Sequence, residues 1–196
     1  MRKRAVTSYP VHDLVAERWS PTVFDGRAVE PEKLGSLFEA ARGAASSFNE
    51  QPWRFLVARR EDAAGFERLA GCLVPANAWA KRAPVLALSV ARLHFTRNGK
   101  PNRHAFHDVG LASGNLCLQA GALGLAVHMM AGFDADRARA DLGIPEGHDP
   151  VAMMAIGYRG DPGAAPPELR AREEAPRSRK PLAEVAFGPG WDAPLG

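Results

Sequence analysis

Apolar residues recur along this chain with two periods, and the changes between them mark out its elements. Leu34, Leu37, Phe38 and Ala41 fall at helical spacing behind Pro31, a residue suited to a first helical turn. A helix is therefore expected from Pro31 to about Gly43. Trp53 to Ala58 contains Phe55, Leu56 and Val57 and reads as a strand. A short helix near Ala63 to Cys72 and a second helical piece, Asn77 to Arg82, follow, the latter stopped by Pro84. From Val85 to Ala91 the run is apolar apart from Ser89, which suits a strand covered on both faces in the middle of a sheet. His104 to about Gly124 has helical character with apolar residues on most sides and interspersed Gly, Ala and Ser, so this helix should be largely buried and able to approach a neighbour closely. A strand near Val127 to Met130, a helix near Ala135 to Leu142 and a final strand at Val151 to Tyr158 complete the pattern.

Helices and strands alternate irregularly, with crossovers of varying length, which points to an α+β fold rather than a doubly wound sheet. The chain divides into a core, residues 1–160, and a C-terminal extension, residues 161–196. The extension is rich in proline and too poor in large apolar residues to fold alone. Leu182, Val185, Phe187 and Trp191 give it apolar handles, so it is expected to wrap along another surface.

The 196 residues fit one domain or one protomer of an obligate oligomer. Apolar residues at 46% and charged ones at 24% exclude wholesale disorder. A net charge of +3 and a pI near 9.1 favour phosphate-bearing ligands mildly and are too weak to argue for nucleic acid. Two cysteines, Cys72 and Cys117, rule out a disulfide framework and suit a reducing compartment. Ala5 to Leu14 supplies no apolar leader, and no run is long enough to span a bilayer, so a soluble cytoplasmic protein with no membrane partner is expected.

The chemistry concentrates in Ala45-Ser46-Ser47-Phe48-Asn49-Glu50-Gln51-Pro52-Trp53, where two hydroxyls and two side-chain amides precede a strand. Asn49 and Gln51 each offer one acceptor and two donors on a planar group, which suits the alternating N–H and C=O edge of a pyrimidine or flavin ring. Pro52 restricts Gln51, which is expected to be extended. The other reading is a plain turn between helix and strand.

Two further segments decide between them. Glu17-Arg18-Trp19-Ser20-Pro21-Thr22-Val23-Phe24-Asp25 resembles the opening phosphate-binding motif of the FMN-dependent nitroreductase family, and Ala122-Leu123-Gly124-Leu125-Ala126-Val127-His128-Met129-Met130-Ala131-Gly132-Phe133-Asp134 is similar to that family's segment beside the flavin. Between them lie the amide-rich loop and Asp108-Val109-Gly110-Leu111-Ala112 with Asn115, Leu116 and Leu118, in the family's order. The resemblance runs from about residue 10 to about residue 182. It implies a central mixed, mainly antiparallel sheet flanked by helices, and a homodimer in which the C-terminal extension is exchanged onto the partner subunit. It also implies FMN as cofactor, held by Arg18, Trp19 and Ser20 with Arg177 and Arg179 at the phosphate. Ser46, Ser47, Asn49 and Gln51 would lie along the ring and ribityl chain, with Asn77, Met129, Ala131 and Gly132 completing the set; Asn77 could equally be the N-cap of the helical piece it opens. Ala131 and Gly132 match the place where a backbone N–H meets flavin N5. NADH or NADPH would donate hydride through N5 to a nitroaromatic, a quinone or a similar small-molecule acceptor by a ping-pong mechanism. No side-chain acid or base is required, because the cofactor carries the chemistry. Reductive dehalogenation or dehydrogenation on the same scaffold, or flavin binding without catalysis, are the alternatives.

One departure from the family stands out. Thr22 occupies the place of a usual Lys or Arg, and Lys81 or Arg82 could supply the missing cation. His104, His107 and Asp108 could share a helix face, but a zinc site would want a fourth ligand, so no metal is expected. Asp108 is expected as an early-turn anion, with the histidines lining a pocket.

Overall fold

The computed structural model describes residues 3–191 and 193–195. Helix α1 spans Asp13–Glu17, α2 Pro31–Arg42, α3 Ala63–Gly71, α4 Ala105–Ala122, α5 Ala135–Leu142 and α6 Pro167–Glu174. Strands β1 (Trp53–Arg59), β2 (Val85–Arg92), β3 (Ala126–Met130) and β4 (His148–Gly157) form one sheet in the order β1-β2-β4-β3. The α+β class is as expected. All three strand pairings are antiparallel, so among the described residues the sheet carries no parallel pair.

Both faces of the sheet are covered, which is why β2 reads as an unbroken apolar run rather than an alternating one. Leu86, Leu88 and Val90 point to one side, where Phe66, Leu69, Trp79 and Ala138 pack. Val85, Ala87 and Ala91 point to the other, against Leu37 and Ala41 of α2 and Val109, Ala112 and Leu116 of α4. Ala105, Ala112 and Ala120 of α4 are buried in this layer, whereas a Cβ at Gly110 or Gly114 would meet nothing within 4 Å among the described residues. The opposite side of α4 leaves Phe106 and Leu111 exposed.

The final strand begins three residues before its expected start, at His148, because Pro150 conceals it. Proline cannot donate to a ladder and argues against a central strand except at a bulge. The register shifts between Ser89 and Val90, where Pro150 pairs with Val90 and Ala152 with Ser89. At that irregularity the buried Ser89 hydroxyl lies 3.1 Å from the Ala152 carbonyl and 3.2 Å from the Ala152 amide. This explains the one buried polar residue in the strand.

Two helices lack a periodic apolar stripe and were not expected. Helix α1 is only five residues long. Helix α6 buries Leu169 alone among large apolar side chains, although Pro167 at its first turn and its Glu, Arg and Ala residues favour a helix. What fixes α6 is polar. The carboxylate of Glu173, 2% exposed, accepts hydrogen bonds from the Thr22 amide, from Thr22 Oγ1 at 2.7 Å and from the Val23 amide at 3.2 Å. The first part of the C-terminal extension therefore packs on the chain's own core. After it, Leu182 and Val185 are exposed, and Phe187 and Trp191 stack at 5.3 Å in a small terminal hairpin. No helix among the described residues is long and apolar enough to cross a membrane.

Removing the Glu173 carboxylate leaves three donors without it, two of them on the backbone. Glu173→Ala should lower the unfolding free energy by about 3 kcal/mol, whereas Thr22→Val, which removes one hydroxyl donor, should cost about 1 kcal/mol. Urea denaturation of the two variants checks this, and equal losses would dissociate Glu173 from the backbone amides it is assigned to hold.

Candidate functional site

The residues singled out from the sequence fall into three sets. In the first, α1 ends at Glu17 and releases the chain into extended geometry at Arg18. This turns Arg18 and Ser20 to one side, with Arg18 Nη1 3.4 Å from Ser20 Oγ. Arg177 reaches the same place from the far end of the chain and donates to the Ala16 carbonyl at 2.7 Å and the Lys3 carbonyl at 2.6 Å. Arg18, Arg177, Arg179 and Lys180 line one cleft of about 470 Å³ with Tyr9 and Val15. Burial lowers the pKa of Arg177 from its ordinary value, and the like charges of Arg179 and Arg18 push it further the same way. Cations gathered at mutual cost are what an anion site requires. Trp19 is buried instead, with Lys3 4.6 Å from its ring centroid and an indole Nε1 that has no hydrogen-bond partner among the described residues.

The second set is the amide-rich loop, which follows α2. Ser47–Asn49 forms a single 3₁₀ turn in which Phe48 and Asn49 have φ of 54° and 56°. Gln51, expected to be extended, has φ 51°. The following proline favours extended geometry at Gln51, and the bonds of Gln51 to Ser46 and Asn49 override that preference. Left-handed geometry costs a non-glycine residue about 1–2 kcal/mol, so contacts must hold the loop. Gln51 N donates to Ser46 Oγ at 3.0 Å, Gln51 Nε2 to the Asn49 carbonyl at 3.2 Å, and Ser47 N to Asp108 Oδ2 at 3.0 Å. Asp108, 2% exposed, lies in the first turn of α4 as expected, and it also braces this loop. Its second oxygen is 3.1 Å from His107 Nδ1. His104 and His107 are exposed, with ring centroids 6.5 Å apart. Among the described residues no three His, Cys, Asp or Glu side chains gather as a metal group.

The third set joins the turn Pro75–Arg82 to the end of β3. Asn77 is not a helix cap, since Val74 precedes the turn. Its Nδ2 donates to the Gly132 carbonyl at 2.9 Å, and a Cβ at position 132 would stand 2.6 Å from that nitrogen. Glycine is what admits the contact. Ala131 precedes it, and Met129 is 41% exposed on β3. Within each set side chains meet, and among the described residues no hydrogen bond joins one set to another. Lys81 and Arg82 stay exposed. Thr22 is occupied by Glu173, a role its sequence context does not disclose.

Sequence reasoning missed Glu50 and His128. Both oxygens of Glu50 accept from Thr96 Oγ1, at 2.8 and 2.9 Å, which ties the loop to the segment before α4. His128 donates through Nδ1 to the Pro21 carbonyl at 2.8 Å and packs on Trp79 at 4.6 Å. No spacing rule could have found either, because each partner lies far away in sequence.

The chain as a whole is similar to known proteins. A family profile described as the nitroreductase family matches residues 15–82 and 73–158. An uncharacterised 15.4 kDa protein of Mycolicibacterium smegmatis is 37% identical over 149 residues, which cover 72% of this chain and 99% of that protein. A protein of Polynucleobacter asymbioticus, provisionally named NADH dehydrogenase/NAD(P)H nitroreductase, is 30% identical over 162 residues, 72% of this chain and 81% of that one. A crystallised oxidoreductase containing FMN is 38% identical with a TM-score of 0.90 and covers 96% of both chains.

Burial lowers the pKa of His128 more than its bond to Pro21 and the nearby Glu173 raise it, while Arg172 and Arg18 lower it further. The unfolded chain then binds the proton more readily below about pH 6.5, so stability should fall as the pH drops through that value and level off below the folded pKa. His128→Gln should flatten this acid slope in urea midpoints measured between pH 8 and pH 5. An unchanged slope would assign it to another group.

Proposed function

The chain belongs to the nitroreductase family, and on that premise we propose that it is an FMN-dependent oxidoreductase. It takes hydride from NADH or NADPH and delivers it to a nitroaromatic, a quinone or a similar small acceptor by a ping-pong mechanism. The observation that carries this reading is the convergence of Arg18, Arg177 and Arg179 on one cleft, with the pKa of Arg177 lowered by burial first and then by the like charges of Arg179 and Arg18. A dianionic phosphate would relieve that repulsion, and guanidinium forks suit its oxygens. Arg179 is exposed and among the described residues bonds only to the Ser178 carbonyl, at 2.7 Å, so it is the freer of the two late cations. Arg177 contributes charge while also holding the carbonyls of Lys3 and Ala16.

FMN bound here would supply hydride exchange at N5. The chain's own contribution is orientation: Ser20 donates beside Arg18, Trp19 packs beneath them, and the Asn49 and Gln51 amides read the ring edge from a loop that Asp108 braces. Ser46 and Ser47 shape the same loop. Asn77 holds the Gly132 carbonyl, fixing the backbone of Ala131 and Gly132 near the reacting edge, with Met129 alongside. Backbone positioned in this way needs no reorganisation when charge develops on the ring.

We further propose a homodimer. Phe106 and Leu111 on α4 and the exposed Leu182, Val185 and Trp191 are the apolar surfaces it would cover. Residues beyond Lys180 would wrap the partner, since the extension before them packs on the chain itself or lines its cleft. A cytoplasmic location agrees with two free, buried cysteines.

The purified protein should carry the absorbance of oxidised flavin, bleached by NADH or NADPH and restored by a nitroaromatic. A protein that stays colourless after incubation with FMN would refute the reading. Arg18→Ala should weaken FMN binding by about 1.5–3 kcal/mol, the worth of a hydrogen bond to a charged group. Equal FMN affinity in the variant would remove Arg18 from the site. Sedimentation should show a dimer at low micromolar concentration, and a stable flavin-loaded monomer would overturn the assembly.

A further inference from the structure

Residues 68–107 contain seven Lys and Arg residues and no Asp or Glu. Three of the cations, Arg97, Lys100 and Arg103, belong to the segment between β2 and α4, and all three are exposed. That segment is an ordered hairpin, not a loose run. Phe95 N bonds the Lys100 carbonyl at 2.9 Å, Gly99 N the Phe95 carbonyl at 2.9 Å and Asn102 N the Leu93 carbonyl at 2.7 Å. It docks on the amide-rich loop at two points. Thr96 donates to Glu50, and Arg97 lies 3.8 Å from the centroid of Phe48, whose ring meets Phe95 edge-on at 5.8 Å.

Two features of this contact point to a ligand. Phe48 is 71% exposed despite its left-handed backbone and its two ring contacts, so the loop holds an aromatic surface open beside Asn49 and Gln51. The charges are also uncompensated, because among the described residues no carboxylate forms an ion pair with Arg97, Lys100 or Arg103, and the nearby Glu50 is taken up by Thr96. A guanidinium stacked on a ring keeps its edge donors available to an anion.

We propose that Arg97, supported by the field of Lys100 and Arg103, selects an acceptor whose aromatic ring carries an anionic group, with Phe48 offering the ring a surface. The proposal rests on the reading of the adjacent loop as part of the flavin site, and it names the acceptor class for that site. A nitrobenzoate or a sulfonated quinone has this chemistry. Single exposed charge contacts are weak and screened by salt, which sets the size of the effect.

The test compares wild type with Arg97→Gln, Arg97→Lys and the double variant Arg97→Gln with Lys100→Gln, all loaded with FMN. The ratio of kcat/KM for 4-nitrobenzoate to that for 4-nitrobenzyl alcohol should fall about two- to fivefold in Arg97→Gln and further in the double variant, mostly through KM. Arg97→Lys should retain most of it, and 0.5 M salt should erode it in the wild type. A ratio unchanged in both glutamine variants would overturn the proposal. So would a change confined to the NADPH-to-NADH ratio, which would make the hairpin a reader of the donor's 2′-phosphate. Calorimetric titration with benzoate and benzyl alcohol needs no flavin turnover. A preference for benzoate that Arg97→Gln abolishes supports the proposal even if the protein fails to reduce nitroaromatics, and no preference in the wild type defeats it even if the flavin chemistry stands.

Discussion

Covering one antiparallel sheet on both faces is the constraint from which the rest of the structure follows. β2 lies between β1 and β4, with α2 and α4 on one side and α3, α5 and the Pro75–Arg82 turn on the other. Nearly every side chain of β2 is buried, so polar function is excluded from the middle of the sheet. Ser89 is the exception within the strand, and its hydroxyl meets backbone groups where the register slips. Chemistry is thereby displaced to the loops, where the buried scaffold holds short segments from both sides. That is the common division of labour between core and loop.

Each of those segments is kept in place at an energetic cost. The amide-rich loop contains three non-glycine residues at positive φ and is braced by Asp108 from α4 and by the Glu50–Thr96 contact. The cleft beside α1 gathers Arg18, Arg177 and Arg179 against their mutual repulsion. Strain and like-charge crowding persist only where the surroundings over-determine them, and both occur at residues that the proposed FMN site would use. Glu173 serves the same end by a different route. Its buried carboxylate secures the backbone at Thr22 and Val23, so the segment carrying Arg18 and Ser20 is fixed from α6.

The same carboxylate alters how the Thr22 departure is understood. A residue that lacks the family's cation at this position gives its hydroxyl and amide to an internal acid, and the chain gains an anchor for its C-terminal segment. Lys81 and Arg82 remain on the surface. The charge near this part of the molecule is supplied by Arg172, 5.8 Å from the centroid of the Trp79 ring, and by Arg18. His128, between Pro21 and Trp79, feels both arginines as well as Glu173, which makes it a local probe of that balance.

The sequence by itself determined the α+β class, the central position of β2, most strand and helix positions, and the segments that carry polar chemistry. Each of these depends on local periodicity or on residue types in a short window. Helical spacing from Leu34 to Ala41 and the apolar run from Val85 to Ala91 leave little choice of element. Tertiary structure alone decided the rest. Pro150 enters a central strand because a bulge across from Ser89 excuses its missing donor, and α6 forms on a single buried leucine because Thr22 and Val23 supply donors to Glu173. Gln51 turns left-handed because Ser46 and the neighbouring turn hold it, and Asp108 serves a loop 61 positions away. The contacts of Ser89, Glu173 and Asp108 depend on partners distant in sequence, and a pattern read along the chain carries no information about which distant groups will meet.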